Sequence, residues 1–176
     1  MTKDGIYDYL VNTMNDKAPE VKNELLEYQT ERIELLIAEM VECCDDRKLY
    51  ETKKFDLPYA EIKCLMLFSG EHYLTVKAMS QKLDVAKSRI TKLVKNLMGK
   101  GLIQQINDPM DARVRLISLT SRGVALSREI KTFQSDIHQQ LLLQMELAER
   151  KNTLVYMEML RSAMEAVKEK LIKIKR

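Results

Sequence analysis

Apolar residues recur at helical spacing along most of the chain. Leu25, Leu26, Ile33, Leu36, Ile37, Met40 and Cys44 make one broad stripe and predict a helix from about Pro19 to Arg47. Pro19 suits a first helical turn, with Glu20 at its positive end. At about 1.5 Å per residue such a helix approaches 40 Å, longer than one small domain needs. Before it, Ile6, Tyr9, Leu10 and Thr13 predict a short helix that Asn15-Asp16 ends. Lys48 to Asp56 is polar and reads as a loop. Asp56-Leu57-Pro58 then opens a helix over 59–68, with Ile62, Leu65, Met66 and Phe68 facing a core, and Ser69-Gly70-Glu71-His72 ends it. Thr75 is placed to cap a short helix to Leu83, with Val76, Met79 and Leu83 inward. Asp84 makes the next turn, since Asp tolerates left-handed backbone better than most residues.

The most sharply divided helix is predicted over Lys87 to Lys100. Ile90, Leu93, Val94, Leu97 and Met98 fall on one side; Lys87, Ser88, Arg89, Lys92 and Lys95 fall on the other, with no acid among them. Gly101 follows where a left-handed residue closes a helix. A helix with one apolar face and one basic, hydroxylic face suits the major groove of DNA. Lys and Arg neutralise phosphates and donate to guanine edges, and Ser donates or accepts. A solvated surface helix is the plain alternative. Helix, short helix, tight turn and basic helix are nevertheless the order of a helix-turn-helix.

After Gly101 the period changes. Leu102 to Ile106 and Val114 to Leu119 are short and rich in β-branched or apolar residues, around the turn-rich Asn107-Asp108-Pro109-Met110-Asp111-Ala112-Arg113. This predicts a β-hairpin with a long tip, a wing. Helix resumes at Thr120-Ser121-Arg122-Gly123, with Leu126, Ile130, Phe133, Ile137 and Leu141 at helical spacing and a break over 147–152. Met157, Leu160, Met164, Val167, Leu171 and Ile174 then alternate at three and four residues, a coiled-coil-like seam. The apolar faces of the first and last helices exceed what the middle of the chain can cover, which predicts pairing with a second copy; an intramolecular bundle is the alternative.

Composition narrows the function. Five Gly and three Pro in 176 residues fit a mostly helical chain. No run of about 18 apolar residues suggests a membrane span. The first residues lack the basic-then-apolar pattern of a signal peptide, and three cysteines show no framework spacing, so a cytoplasmic protein is expected. Net charge is only +3, but residues 1–56 hold fourteen acids and eight bases, whereas residues 75–115 hold nine bases and three acids. A basic middle beside an acidic arm marks one face that attracts polyanions. His72 and His138 are far apart and no Cys/His/acid cluster has ligand spacing, so no metal is expected. No Gly-rich phosphate loop and no nucleophile-base grouping appears, so no cofactor and no enzymatic activity is expected either.

Leu74-Thr75-Val76-Lys77, Leu83 to Val94, Gly101-Leu102-Ile103, Asp108-Pro109-Met110-Asp111-Ala112-Arg113 and Leu119-Thr120-Ser121-Arg122-Gly123 stand in one order over about 50 residues. This segment resembles the MarR family of winged-helix transcriptional regulators. The Asp-Pro-x-Asp-x-Arg wing followed by Leu-Thr-x-x-Gly is its most specific part. The resemblance implies a mostly α fold, an α+β winged helix-turn-helix. Residues 57–120 would bind DNA, and residues 1–56 and 121–176 would dimerise. It implies a homodimer on a near-palindromic operator, with each recognition helix in a major groove and each wing Arg in the adjacent minor groove. That Arg is Arg113, oriented by Asp111 through a charge-assisted pair, with Arg115 beside it in the wing. Ser88, Arg89 and Lys92 are then candidates for base edges, and Lys87, Thr91 and Lys95 for phosphates. Three departures point to weaker non-specific binding: Ala112 where relatives carry a second Arg, Ala86 where a Ser caps the recognition helix, and Gln104-Gln105-Ile106 in place of basic residues.

In relatives, small aromatic or carboxylate effectors bind where the terminal helices meet the DNA-binding module. Tyr28, Tyr59 and Met66 are the candidates here, with core filling as the alternative. Some members sense oxidants through a cysteine. That needs an exposed, low-pKa thiolate; Cys64, beside Leu65 and Met66, reads instead as buried and inert, and the vicinal Cys43 and Cys44 point to different sides of their helix. The sequence thus reads as a transcriptional regulator, a repressor released by a small ligand. A winged-helix protein-interaction module and a redox-sensing regulator are the alternatives.

Overall fold

The computed structural model describes residues 24–107 and 114–174. The expected helix over residues 1–16 and the wing tip with Asp111 and Arg113 lie outside these residues. The chain divides into two compact units, Met1–Glu51 and Thr52–Arg176.

The first helix, α1, is Glu24–Phe55. It runs through the stretch from Lys48 to Asp56 that its polarity assigned to a loop. That stretch contains no Gly or Pro before Asp56, and its charges pair at helical spacing: Lys48 Nζ with Asp45 Oδ1 at 2.6 Å, Arg47 with Glu51 at 3.7 Å. Polarity alone does not stop a helix; a left-handed residue does. Asp56 has φ 49°, and the N–H of Leu57 donates back to the carbonyl of Thr52 at 3.3 Å. This six-to-one bond and the buried Leu57 are the marks of a Schellman closure. Along the first unit Leu25, Leu26, Ile33, Leu36 and Met40 of the apolar stripe are exposed, and Ile37 is half-buried.

The second unit takes in the end of α1 and continues with α2, Tyr59–Met66, behind Pro58. The predicted helix continued to Phe68. Instead Leu67, Phe68 and Ser69 donate to carbonyls three residues back, so the last turn tightens. Next, α3 is Val76–Leu83 and α4 is Lys87–Gly99. Thr75 caps α3 as expected, its Oγ1 accepting from the N–H of Ala78 at 3.1 Å. Two strands follow, β1 (Ile103–Asn107) and β2 (Arg115–Leu119), antiparallel with Ile103 opposite Leu119 and Asn107 opposite Arg115. Leu74 adds a rung that sequence patterning did not suggest: it exchanges both backbone hydrogen bonds with Ile117, at 2.9 and 2.8 Å.

One core holds this unit. Ile62, Cys64 and Leu65 of α2, Met79 of α3, Ile90 and Leu97 of α4, Ile117 of β2 and Ile130 of the next helix are all fully enclosed. Each such aliphatic side chain contributes roughly 1.5–3 kcal/mol by leaving water. Phe55 packs edge-on to Phe133 with ring centroids 5.6 Å apart, and the Lys54 ammonium lies 5.1 Å from the Phe133 centroid.

The chain closes with α5 (Ser121–Leu143) and α6 (Leu147–Ile174). The break falls at 144–146, ahead of the predicted 147–152. Its chemistry is local. The Glu149 carboxylate accepts from the N–H of Glu146 at 2.8 Å, half of a capping box, and starts α6 there. Of the coiled-coil-like seam, Met157, Met164, Val167 and Leu171 are exposed and Leu160 is half-buried.

Candidate nucleic-acid interface

The geometry of α4 is set by its two ends. At its start, Asp84 takes the left-handed conformation, φ 51°, and Val85 donates to the carbonyl of Ser80 at 3.1 Å. The Ser80 hydroxyl locks the same turn by donating to the Val85 carbonyl at 2.8 Å. The predicted turn residue therefore stands where the sequence put it, and α3 and α4 form a helix-turn-helix pair. Ala86 precedes α4 with φ −58° and ψ 142°, and no side chain caps the helix there. At the far end Gly101 has φ 68°, which a Cβ would disfavour, and Leu102 donates to the Leu97 carbonyl at 3.0 Å.

Between these ends the two faces separate as the pattern predicts, with one exception. Ile90 and Leu97 are fully buried, Val94 is nearly so and Leu93 is half-buried, but Met98 is 40% exposed. Lys87, Ser88, Arg89, Thr91, Lys92 and Lys95 are all exposed. Among the described residues, none of these four cations makes an ion pair with an acid; the nearby Lys82 instead meets Glu71 at 3.4 Å. Thr91 differs from its neighbours, because its hydroxyl already donates to the Lys87 carbonyl at 3.0 Å. Arg115, at the root of the wing, is exposed.

Sequence reasoning missed the group that holds the exit of α4. Glu61, on α2, is only 2% exposed, although a lone Glu between Ala60 and Ile62 gives no sign of burial. Its Oε1 accepts from Asn96 Nδ2 at 3.2 Å, and its Oε2 accepts from Lys100 Nζ at 2.8 Å. From the other side, Arg122 Nη1 donates to the Lys100 carbonyl at 3.3 Å and Thr120 Oγ1 donates to the Gly101 carbonyl at 2.7 Å. Thr120 also caps α5, accepting from Gly123 N at 3.1 Å. A Cβ on Gly123 would stand 1.9 Å from the Leu102 carbonyl oxygen, so only glycine permits this approach. The Leu-Thr-x-x-Gly motif thus has a physical meaning: a cap and a close contact that seat α5 against the root of the wing.

The remaining candidates divide between the two units. Tyr28 is exposed in the first unit. Tyr59 and Met66 are half-buried at the two ends of α2 and pack on the core, with the Ser127 hydroxyl 3.9 Å from the Met66 sulfur. Cys64 is fully buried, and burial, with a smaller push from the neighbouring Glu61 carboxylate, raises its thiol to about 11. Cys43 and Cys44 are exposed in the first unit. An open cleft of about 410 Å³ lies between Phe68, Leu119, Val124 and Lys131, and neither Tyr59 nor Met66 lines it. Among the described residues no group of His, Cys, Asp and Glu could hold a metal ion, and no helix is long and apolar enough to cross a membrane.

A helix-turn-helix whose second helix runs into an antiparallel hairpin defines the winged-helix class. Comparison with known proteins points the same way: the MarR family profile matches residues 55–114, about a third of the chain. It is 26% identical over 88 residues to the HTH-type transcriptional regulator SarZ of Staphylococcus haemolyticus, which covers 50% of this chain and 60% of that protein. It is 32% identical over 76 residues to the organic hydroperoxide resistance transcriptional regulator of Bacillus subtilis, covering 43% of this chain and 52% of the relative. The chain thus spans a little over half the length of these relatives. Among solved structures, Streptococcus pneumoniae FabT in complex with DNA shares the fold, with a TM-score of 0.68 at 19% identity over 78% of this chain and 99% of that one.

Proposed function

We propose that the chain is a sequence-specific regulator of transcription that binds double-stranded DNA as a homodimer in the cytoplasm. The observation that carries this reading is the outer face of α4, where Lys87, Ser88, Arg89, Lys92 and Lys95 stand exposed without an acid, opposite a buried apolar side. In this reading α4 enters the major groove. Ser88, Arg89 and Lys92 reach base edges, and Lys87 and Lys95 fix register on phosphates. Thr91 joins them only if its hydroxyl turns away from the Lys87 carbonyl. Arg113 enters the minor groove with Asp111 orienting it, and Arg115 supports it from the strand. Residues 57–120 then form the DNA-binding module, and residues 1–56 and 121–176 hold the second copy. The relatives named above are transcriptional regulators, and FabT was solved on DNA. Bound at a promoter, such a dimer represses by occlusion, and a small aromatic or carboxylate effector that favours another half-site spacing releases it. The redox alternative is not favoured at Cys64, which is a neutral, enclosed thiol at physiological pH.

The test is selection of preferred duplexes from genomic fragments, followed by affinity measurements over a range of salt. Half-sites about 10 bp apart, centre to centre, are expected. Arg89→Ala should cost about 10- to 100-fold in affinity for the selected site and relax its sequence. Lys95→Ala should weaken all duplexes about equally and reduce the salt slope by about one. Absence of any preferred duplex, or wild-type discrimination in Arg89→Ala and Arg113→Ala alike, would sink the reading. Binding of an acidic protein in place of DNA would favour the interaction module.

A further inference from the structure

We propose that Glu61 is a positioning residue for DNA recognition: its buried carboxylate fixes the exit of α4, and thereby the spacing between the recognition helix and the wing. This inference rests on the DNA-binding reading of α4 given above. The geometry is that of a two-armed clamp. The two carboxylate oxygens diverge to Asn96, in the last turn of α4, and Lys100, the residue that closes the helix. The carboxylate therefore grips the last turn at two points and resists both sliding and roll. Ile90, Val94 and Leu97 set the depth of α4 in the core, but apolar contacts are not directional and tolerate rotation. An enclosed carboxylate carries a desolvation cost that a well-packed apolar residue would avoid, so stability alone does not account for it. Orientation does.

The same point anchors the wing. Lys100 and Gly101, whose carbonyls are held by Arg122 and Thr120, are followed within two residues by β1. The entrance of α4 is fixed by the Ser80–Val85 lock. If the exit were released, α4 would swing about that turn. Lys95 lies roughly 12 Å along the helix from Lys87, so each swing of about 5° moves it, and the root of the wing beyond it, by about 1 Å. Recognition constellations lose function at displacements of that size. Discrimination needs helix and wing to fit two grooves at once, so it should fall more than general attraction to phosphates.

Glu61→Gln tests this on the full chain, because it keeps an oxygen for Asn96 and removes the charge that holds Lys100. Asn96→Ala removes the other arm at an exposed position and serves if Glu61→Gln does not fold. Hydrogen exchange of the amides at 98–102 should accelerate about tenfold in either variant, with the amides of α3 unchanged. Preference for the selected duplex over a scrambled one should fall about tenfold, with the salt slope unchanged because no phosphate contact is lost. A purely structural role would lower the melting midpoint but leave the preference ratio and the local exchange pattern as in the parent. Unaccelerated exchange at 98–102, or an undiminished ratio in a folded variant, overturns the proposal. If the parent protein itself prefers no duplex, the DNA reading falls, and exchange alone then decides whether Glu61 clamps α4.

Discussion

Single side chains in this molecule are decided by what stands one or two ångströms away. Gly123 is the clearest case. Alanine there would drive a methyl group into the Leu102 carbonyl, at 1.9 Å, and neither partner is a flexible side chain. Gly123→Ala should therefore cost about 3 kcal/mol of unfolding free energy, at the upper end of overpacking penalties, as read by urea denaturation. Cys64 makes a second, pH-dependent case. Its thiol is raised from the ordinary 9.0 to about 11 in the folded chain. The folded state thus holds the proton more tightly than the unfolded one. The stabilisation is complete below about pH 9 and is lost as pH climbs toward 11, by about 2–3 kcal/mol. Subtracting the same profile of Cys64→Ala, which cannot titrate, isolates the effect; identical slopes between pH 9 and 11 would exclude it. The burial of Cys64 was legible in sequence from its apolar neighbours. That of Glu61 was not, because a carboxylate is enclosed only when distant residues supply its partners, and Asn96 and Lys100 lie 35 and 39 positions away.

Elements were read well where their apolar period was strong and poorly where their ends depended on local chemistry. The amphipathic pattern of α4 gave its extent almost to the residue, and Thr75, Asp84 and Gly101 marked true boundaries because each has one dominant conformational use. Leaving Lys48 to Asp56 as loop failed for a related reason. Polarity does not break a helix, whereas the left-handed turn at Asp56 does. The break before α6 was displaced because Glu149 reaches back to cap it, a contact that spacing suggests only once the start is known. Three helices, α1, α3 and α4, end by the same six-to-one closure around Asp56, Asp84 and Gly101. The start of α4 is the weak end. Ala86 already has the extended backbone of a cap, φ −58° and ψ 142°, but no side-chain acceptor. Ala86→Ser should supply one for the first-turn amides and stabilise the protein by about 1 kcal/mol, seen as a rise of the thermal midpoint. An unchanged midpoint would mean that these amides already have equivalent partners in solvent.

At the scale of the whole chain, the outstanding fact is how much apolar surface stays uncovered. In α6 the side chains of Met157, Met164, Val167 and Leu171, which repeat at coiled-coil-like spacing, are all between about a third and a half exposed or more, and α1 carries a similar uncovered stripe. A monomer rarely leaves contiguous apolar patches of more than a few hundred Å² in water. A second copy is the occupant that the heptad-like spacing fits, since identical seams are self-complementary about a two-fold axis. Light scattering after size exclusion should thus give twice the chain mass at micromolar concentration, and the melting midpoint should rise with concentration because folding and association are linked. Val167→Glu with Leu171→Glu places two like charges in the seam of each copy, four at a two-fold contact, where desolvation and repulsion oppose pairing. That variant should shift to single-chain mass while keeping the helical signal of the winged-helix unit, whose core does not include these residues. Loss of the second copy should also abolish cooperative occupation of paired half-sites while sparing weak, salt-sensitive attraction to any duplex, since the basic face of α4 is complete within one chain. A variant that remains dimeric would locate the self-association elsewhere, and one that is monomeric yet still protects two half-sites at parental concentrations would refute the link between the seam and operator recognition.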